Sequence, residues 1–99
     1  MRLVYSPCFL RDLDGIAAHL ATKSPQGKRR VLAAIKGTVE GLEHFPGLGR
    51  QISDSGHRRL RAGRYPYVIL YRVGGDEVFL LHVRHSARRP LDPEGDIDD

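Results

Sequence analysis

The stretch Tyr67-Val68-Ile69-Leu70-Tyr71-Arg72-Val73-Gly74-Gly75-Asp76-Glu77-Val78-Phe79-Leu80-Leu81-His82-Val83-Arg84-His85 decides the fold of this chain. Two runs rich in β-branched and aromatic residues flank Gly74-Gly75-Asp76, whose glycines suit a tight hairpin turn. Both runs are largely apolar, which predicts two central strands of a sheet. Their register stays open at this level. A three-residue turn sets Arg72 opposite Val78, and a four-residue turn sets it opposite Phe79. Counting by twos, Arg72 shares a face with Val68 and Leu70, and Arg84 shares a face with His82, Leu80 and Val78. Whether Arg72 and Arg84 lie on one face therefore depends on the turn.

Upstream of this hairpin, His57 to Ala62 alternates loosely as a third strand, and Gly63-Arg64-Tyr65-Pro66 ends it. Within it Arg59 and Arg61 point together, with Arg58 and Leu60 on the other side. Further upstream the period changes to that of a helix. Ser6-Pro7 and Ser24-Pro25 are two copies of one start signal, a serine N-cap with proline in the first helical position. After the first come Leu10, Leu13, Ile16, Ala17 and Leu20, and after the second come Val31, Leu32, Ile35, Val39 and Leu42. Both sets have helical spacing. The first helix is expected to end near Thr22-Lys23 and the second before Phe45-Pro46. A turn-rich connection then runs to about Gly56. So short a link between amphipathic helices predicts an antiparallel hairpin with a shared apolar face. Residues 2–5 add an N-terminal strand. The whole reads as α+β: strand, helical hairpin, then a three-stranded antiparallel meander. Residues 1–90 form one domain, and the acidic tail 91–99, with no apolar period, is expected to be disordered.

Charge is distributed unevenly. The formal net charge is +4, but five of the twelve acids (Asp92, Glu94, Asp96, Asp98, Asp99) fall in the tail, so residues 1–91 carry +9. Thirteen of the sixteen cations are arginine, the side chain whose planar fork grips phosphate or carboxylate bidentately. The candidate functional region is His57, Arg58, Arg59 and Arg61 with Arg64, Arg72, Arg84, His85, Arg88 and Arg89. Such a cluster suits phosphate, acidic protein segments or the chain's own tail. The alternative is a solvated face with local ion pairs to Asp54, Asp76 and Glu77.

Other signals point away from chemistry. His82 and His85 have metal-like spacing, but residues three apart on a strand face opposite ways, so no metal site is expected. Cys8 cannot form an intrachain disulfide and lacks an evident base, which predicts a small buried residue. Gly47-Leu48-Gly49-Arg50 lacks the lysine of a phosphate-binding loop and reads as a turn. No cofactor is implied. Nothing at the N-terminus reads as a signal peptide and no apolar run reaches a membrane span, so the expected location is cytoplasmic.

In order and spacing, several segments resemble the RelE/ParE toxins of bacterial type II toxin–antitoxin pairs: Val4-Tyr5-Ser6-Pro7; Asp12-Leu13 with Ile16; Ser24-Pro25; Phe45-Pro46-Gly47-Leu48-Gly49-Arg50; Arg59-Leu60; and Tyr65 to Val73. The ending Val83-Arg84-His85-Ser86-Ala87-Arg88-Arg89-Pro90 resembles the H-x-x-R-x-P finish of ParE-like members. The resemblance implies a toxin held by a cognate antitoxin, ParD-like or RelB-like, in a hetero-oligomer that stabilises plasmids. ParE-like members poison DNA gyrase without catalysis. RelE-like members are ribosome-dependent mRNA endoribonucleases, and non-toxic remnants also occur. The nuclease branch commonly has a basic residue after the tyrosine that opens the third strand, where this chain has Val68, and no aromatic ring follows Phe79. The resemblance therefore favours the ParE-like branch, with Arg59, Arg61, Arg64, Arg72, Arg84, His85 and Arg88 binding target or antitoxin. For a nuclease the corresponding set is His57, Arg59, Arg61, Arg84 and His85.

Overall fold

Both helices start as their serines dictate. In the computed structural model, which describes residues 1–87, the Ser6 hydroxyl accepts from the Phe9 N–H at 3.0 Å and Ser24 accepts from Gly27 in the same way. Each serine satisfies one of the orphan donors of a helix N-terminus. Helix α1 (Pro7–Ala21) and helix α2 (Pro25–His44) follow strand β1 (Arg2–Tyr5). Strands β2 (Arg50–Gln51), β3 (His57–Arg61), β4 (Tyr67–Gly74) and β5 (Glu77–His85) complete the chain. Arg88, Arg89 and the acidic tail lie outside the described residues. No helix among the described residues is long and apolar enough to cross a membrane.

The five strands form one sheet in the order β1-β5-β4-β3-β2. The expected meander is β3-β4-β5, and β4 and β5 are interior, as their apolar runs require. Strand β1 adds parallel to β5 at one edge, and β2, read from sequence as part of a turn, pairs antiparallel with β3 at the other. The β4–β5 turn places Arg72 opposite Phe79, and Gly75 supplies its positive φ of 59°.

A bulge corrects the count by twos along β5. Leu70 pairs with His82 but Tyr71 pairs with Leu80, leaving Leu81 as the extra residue. Arg84 therefore keeps the face of His82 and loses that of Leu80 and Val78. It joins Val68, its partner across β4.

One side of the sheet meets the helices. Phe9 of α1 and Val31, Ile35, Val39 and Leu42 of α2 pack with Ile69, Tyr71, Val78, Leu80 and Val83. On α1 the fully buried residue is Phe9, whereas Leu10 is 49% exposed, so the buried stripe is Phe9-Leu13-Ile16-Leu20. Cys8 is half-buried, not the buried residue expected, because it lies beside Phe9 at the margin of the buried stripe of α1.

Where β1 ends, α1 takes over the free edge of β5. The Asp12 carboxylate accepts from the Val83 N–H and from His82 Nδ1, both at 3.1 Å. That bond puts a ring proton on Nδ1, and the buried Nε2 has no partner among the described residues. Asp12→Ala should cost about 1–2 kcal/mol by stranding the Val83 donor, read as a lower urea midpoint at constant slope. An unchanged midpoint would show that this contact does not hold α1 to the edge.

Candidate functional site

Residues paired across neighbouring strands point to the same side of a sheet, so the register identifies what lines the side away from α1 and α2. Arg50 pairs with Arg59, Arg59 with Leu70, Arg61 with Val68, and Val68 with Arg84. His57 pairs with Arg72, Arg72 with Phe79, and Phe79 with Val4. Five arginines from four strands thus share one face with Val68, Leu70, Phe79 and His57. Arg50 and Arg59 stand directly opposite one another, an arrangement that folding alone disfavours.

The face has internal structure. The Arg72 guanidinium lies over the Phe79 ring at 4.5 Å, a cation–π contact that flattens it onto the sheet. Arg61 is aimed by a bond from its Nε to the Tyr65 carbonyl at 3.0 Å. His57 is buried, its Nδ1 within 2.9 Å of Ser53 Oγ and 3.0 Å of Ser55 Oγ. It lines a depression shared with Val4, Tyr5, Arg72, Phe79 and Leu81. A second hollow, between Arg50 and Arg59, includes Asp54 on its wall. Glu77 is held by Arg2, its partner across β1 and β5.

Of the candidate residues, Arg59, Arg61, Arg72, Arg84 and His57 come together. Arg64 sits in the β3–β4 turn, its guanidinium 5.4 Å from the Tyr65 ring centroid. His85 does not join them. It pairs with Tyr67 on the helix side, edge-on to that ring at 5.3 Å, and its Nδ1 accepts from the Ala87 N–H. His82 and His85 consequently face opposite ways, as the strand period requires. Arg88 lies outside the described residues.

Two members escaped the sequence reading. Arg50 lies in a strand of only two residues, too short to show a period. Phe79 depends on the register. Arg50 is placed by the loop before it. The buried Tyr71 hydroxyl donates to the Pro46 carbonyl and accepts from the Gly49 N–H, both at 2.8 Å, and Arg58 donates to the Gly49 carbonyl at 2.6 Å. The pairing of Tyr71 with Arg58 across β3 and β4 brings both groups to this loop.

Burial pushes the Tyr71 phenol above its ordinary value, with the Gly49 N–H and the Arg58 charge opposing the shift. The folded state therefore holds this proton more tightly than the unfolded chain. The stabilisation is complete below the unfolded pKa of about 10 and is lost as pH rises through the higher folded value. Tyr71→Phe should remove that alkaline loss, so the variant's urea midpoint should decline less between about pH 9 and 11. Parallel declines would exclude Tyr71 as their source.

These features agree with what the chain resembles. A family described as "ParE toxin of type II toxin-antitoxin system, parDE" matches residues 3–90. "Putative toxin Y4kP" of Sinorhizobium fredii is 36% identical over 81% of this chain and 82% of its own length. "Toxin RelE3" of Caulobacter vibrioides is 33% identical over 80% of this chain and 87% of its own. The structure titled "Chromosomal ParDE TA system from P. aeruginosa" superposes with a TM-score of 0.75 at 27% identity, covering 86% of this chain and 95% of that one. Matched from its first strand through its last, the chain belongs to the ParE toxin family of type II toxin–antitoxin systems, within the RelE/ParE superfamily.

Proposed function

We propose that this toxin inhibits DNA gyrase by binding through its arginine face, without a catalytic residue of its own. A cognate antitoxin, ParD-like or RelB-like, neutralises it by laying an acidic, apolar segment over the same surface. The observation that carries this reading is the division of the nuclease set. His85 stands on the helix side, away from His57, Arg59, Arg61 and Arg84, and the imidazole that shares their face, His57, is buried with its Nδ1 beside the Ser53 and Ser55 hydroxyls, so the five residues are not gathered at one place. Five arginines on the sheet face that neither α1 nor α2 covers favour a binding surface, since a guanidinium fork suits a carboxylate or phosphate held in two parallel hydrogen bonds. The similarity to the P. aeruginosa ParDE structure supports an antitoxin partner. In this reading Arg59, Arg61, Arg72 and Arg84 make the contacts, Arg64 and Arg88 extend them, and His85 supports the strand end. The toxin acts in the cytoplasm, where gyrase is, and a plasmid carrying the pair is stabilised by it.

The test is to add purified protein to gyrase and supercoiled DNA and measure cleavage complexes. Accumulation of cleaved DNA is the expected result, with replication stalling in expressing cells. Normal supercoiling together with prompt translation arrest and cuts inside translated codons would replace it with the RelE-like reading. That reading would centre on His57, which shares its depression with Arg72. Growth unaffected by strong expression without an antitoxin would identify a non-toxic remnant.

A further inference from the structure

The chain carries both a concentrated cationic face and, a few residues beyond its last described strand, the chemistry that complements it. Residues 91–99 interleave five acids with Leu91 and Ile97. The face offers five arginines beside the half-buried Phe79 and Val4. We propose that residues 91–99 dock on the arginine face of their own molecule, as a tethered competitor that any acidic partner or nucleic acid must displace.

Reach permits it. Strand β5 ends at His85, beside the start of β4. The twelve residues 88–99 can extend roughly 40 Å, against about 19 Å across the four gaps of a five-stranded sheet. A short tether holds its segment at an effective concentration on the order of millimolar, so weak carboxylate–guanidinium pairs suffice for occupancy. Charge complementarity selects the side: the helix side is closed by the core, whereas the open side presents like charges as close as the Arg50–Arg59 pair. Opposite charges laid across that pair relieve its repulsion. Such contacts are surface-exposed and weaken with salt. The device sets a threshold. A partner that places both acids and apolar groups on the face displaces the tail, while diffuse polyanions compete poorly.

Two measurements on the full chain test this without gyrase or antitoxin, so the outcome is separate from the target proposed above. A nitroxide is attached at Gly95→Cys in a Cys8→Ser background. At low salt it should broaden the backbone amides of Arg59, Leu70, Arg72 and Arg84 and spare those of α2, with recovery in about 0.5 M salt, where the Debye length falls below about 5 Å. In the second measurement the five tail acids are replaced by their amides, and a short poly-glutamate peptide is the probe. Its affinity should rise by at least about tenfold at low salt, and the difference should vanish at high salt. Broadening that is absent, or that maps to the helices, would overturn the proposal, as would equal peptide affinity. Broadening that grows with protein concentration would transfer the docking to a neighbouring copy and overturn it as well.

Discussion

Gly49→Ala should lower the stability of this domain by about 3–5 kcal/mol, a large part of what a small domain possesses. The cause is steric. A Cβ built on Gly49 would lie 2.6 Å from Tyr71 Oη, 2.8 Å from Tyr71 Cε1 and 2.8 Å from the Arg59 carbonyl oxygen. None of these can step aside cheaply, since the ring is wholly buried and the carbonyl belongs to the sheet. Moving the loop instead would break the Gly49 and Pro46 bonds to the Tyr71 hydroxyl and strand a buried polar atom, at about 1–3 kcal/mol. Gly47→Ala, two residues away, is the internal control. A Cβ there meets nothing within 4 Å, so a change below about 0.5 kcal/mol is expected. Because the closest clash is with the hydroxyl, Gly49→Ala should cost less in a Tyr71→Phe background, a coupling that a double-mutant cycle reads directly. Thermal midpoints should separate the two alanine variants by roughly 15–30 °C. Equal midpoints for the two would show that the loop is not seated on Tyr71.

What could be read in advance follows from the range of the interactions concerned. Helix starts are local: Ser6-Pro7 and Ser24-Pro25 satisfy their own first turns, so both boundaries appear in the sequence. The β4–β5 hairpin is nearly as local, its turn residues lying between the strands they join. Register along β5 is different. Leu80 and Leu81 are both buried, so no alternation marks where the extra residue falls, and the bulge that returns Arg84 to the face of Arg72 leaves no sequence signal. Strand β2 exists because Tyr71 and Arg58 hold its loop from residues far along the chain, contacts that no local pattern encodes. The N-terminal helix held a finer lesson. Phe9, Leu13, Ile16 and Leu20 recur at four, three and four; Leu13, Ile16 and Leu20 are legible from the spacing, and only the first member, taken as Leu10, falls one residue off. The arginine cluster itself was legible as composition. Its division into a five-arginine face and a separate His85 required the strand pairing.

That division makes a second large effect measurable, in which stability and function move in opposite directions. Arg59 is exposed and stands opposite Arg50, so each raises the cost of holding the other in the sheet. Arg59→Ala should therefore leave the fold as stable or stabilise it by a few tenths of a kcal/mol at low salt, with the gain fading as salt screens the pair. Binding should respond the other way. Arginine near the centre of a protein interface is a frequent hot spot, and losing about 2 kcal/mol or more corresponds to roughly a thirtyfold weaker grip on an acidic partner. His85→Ala should give the reverse pattern. Removing the ring packed edge-on against Tyr67 should cost about 0.5–1.5 kcal/mol of stability, while target engagement by the remaining folded protein stays intact. Urea midpoints at two salt concentrations, beside gyrase cleavage-complex yields for the same three proteins, resolve all four expectations. If Arg59→Ala lost stability and binding together, its role would be to support the sheet. If His85→Ala abolished activity in a stably folded protein, the nuclease assignment of that histidine would regain its force. A surface whose removal makes the fold easier to hold is one kept for a partner, and opposite-signed changes at Arg59 would identify the arginine face as that surface.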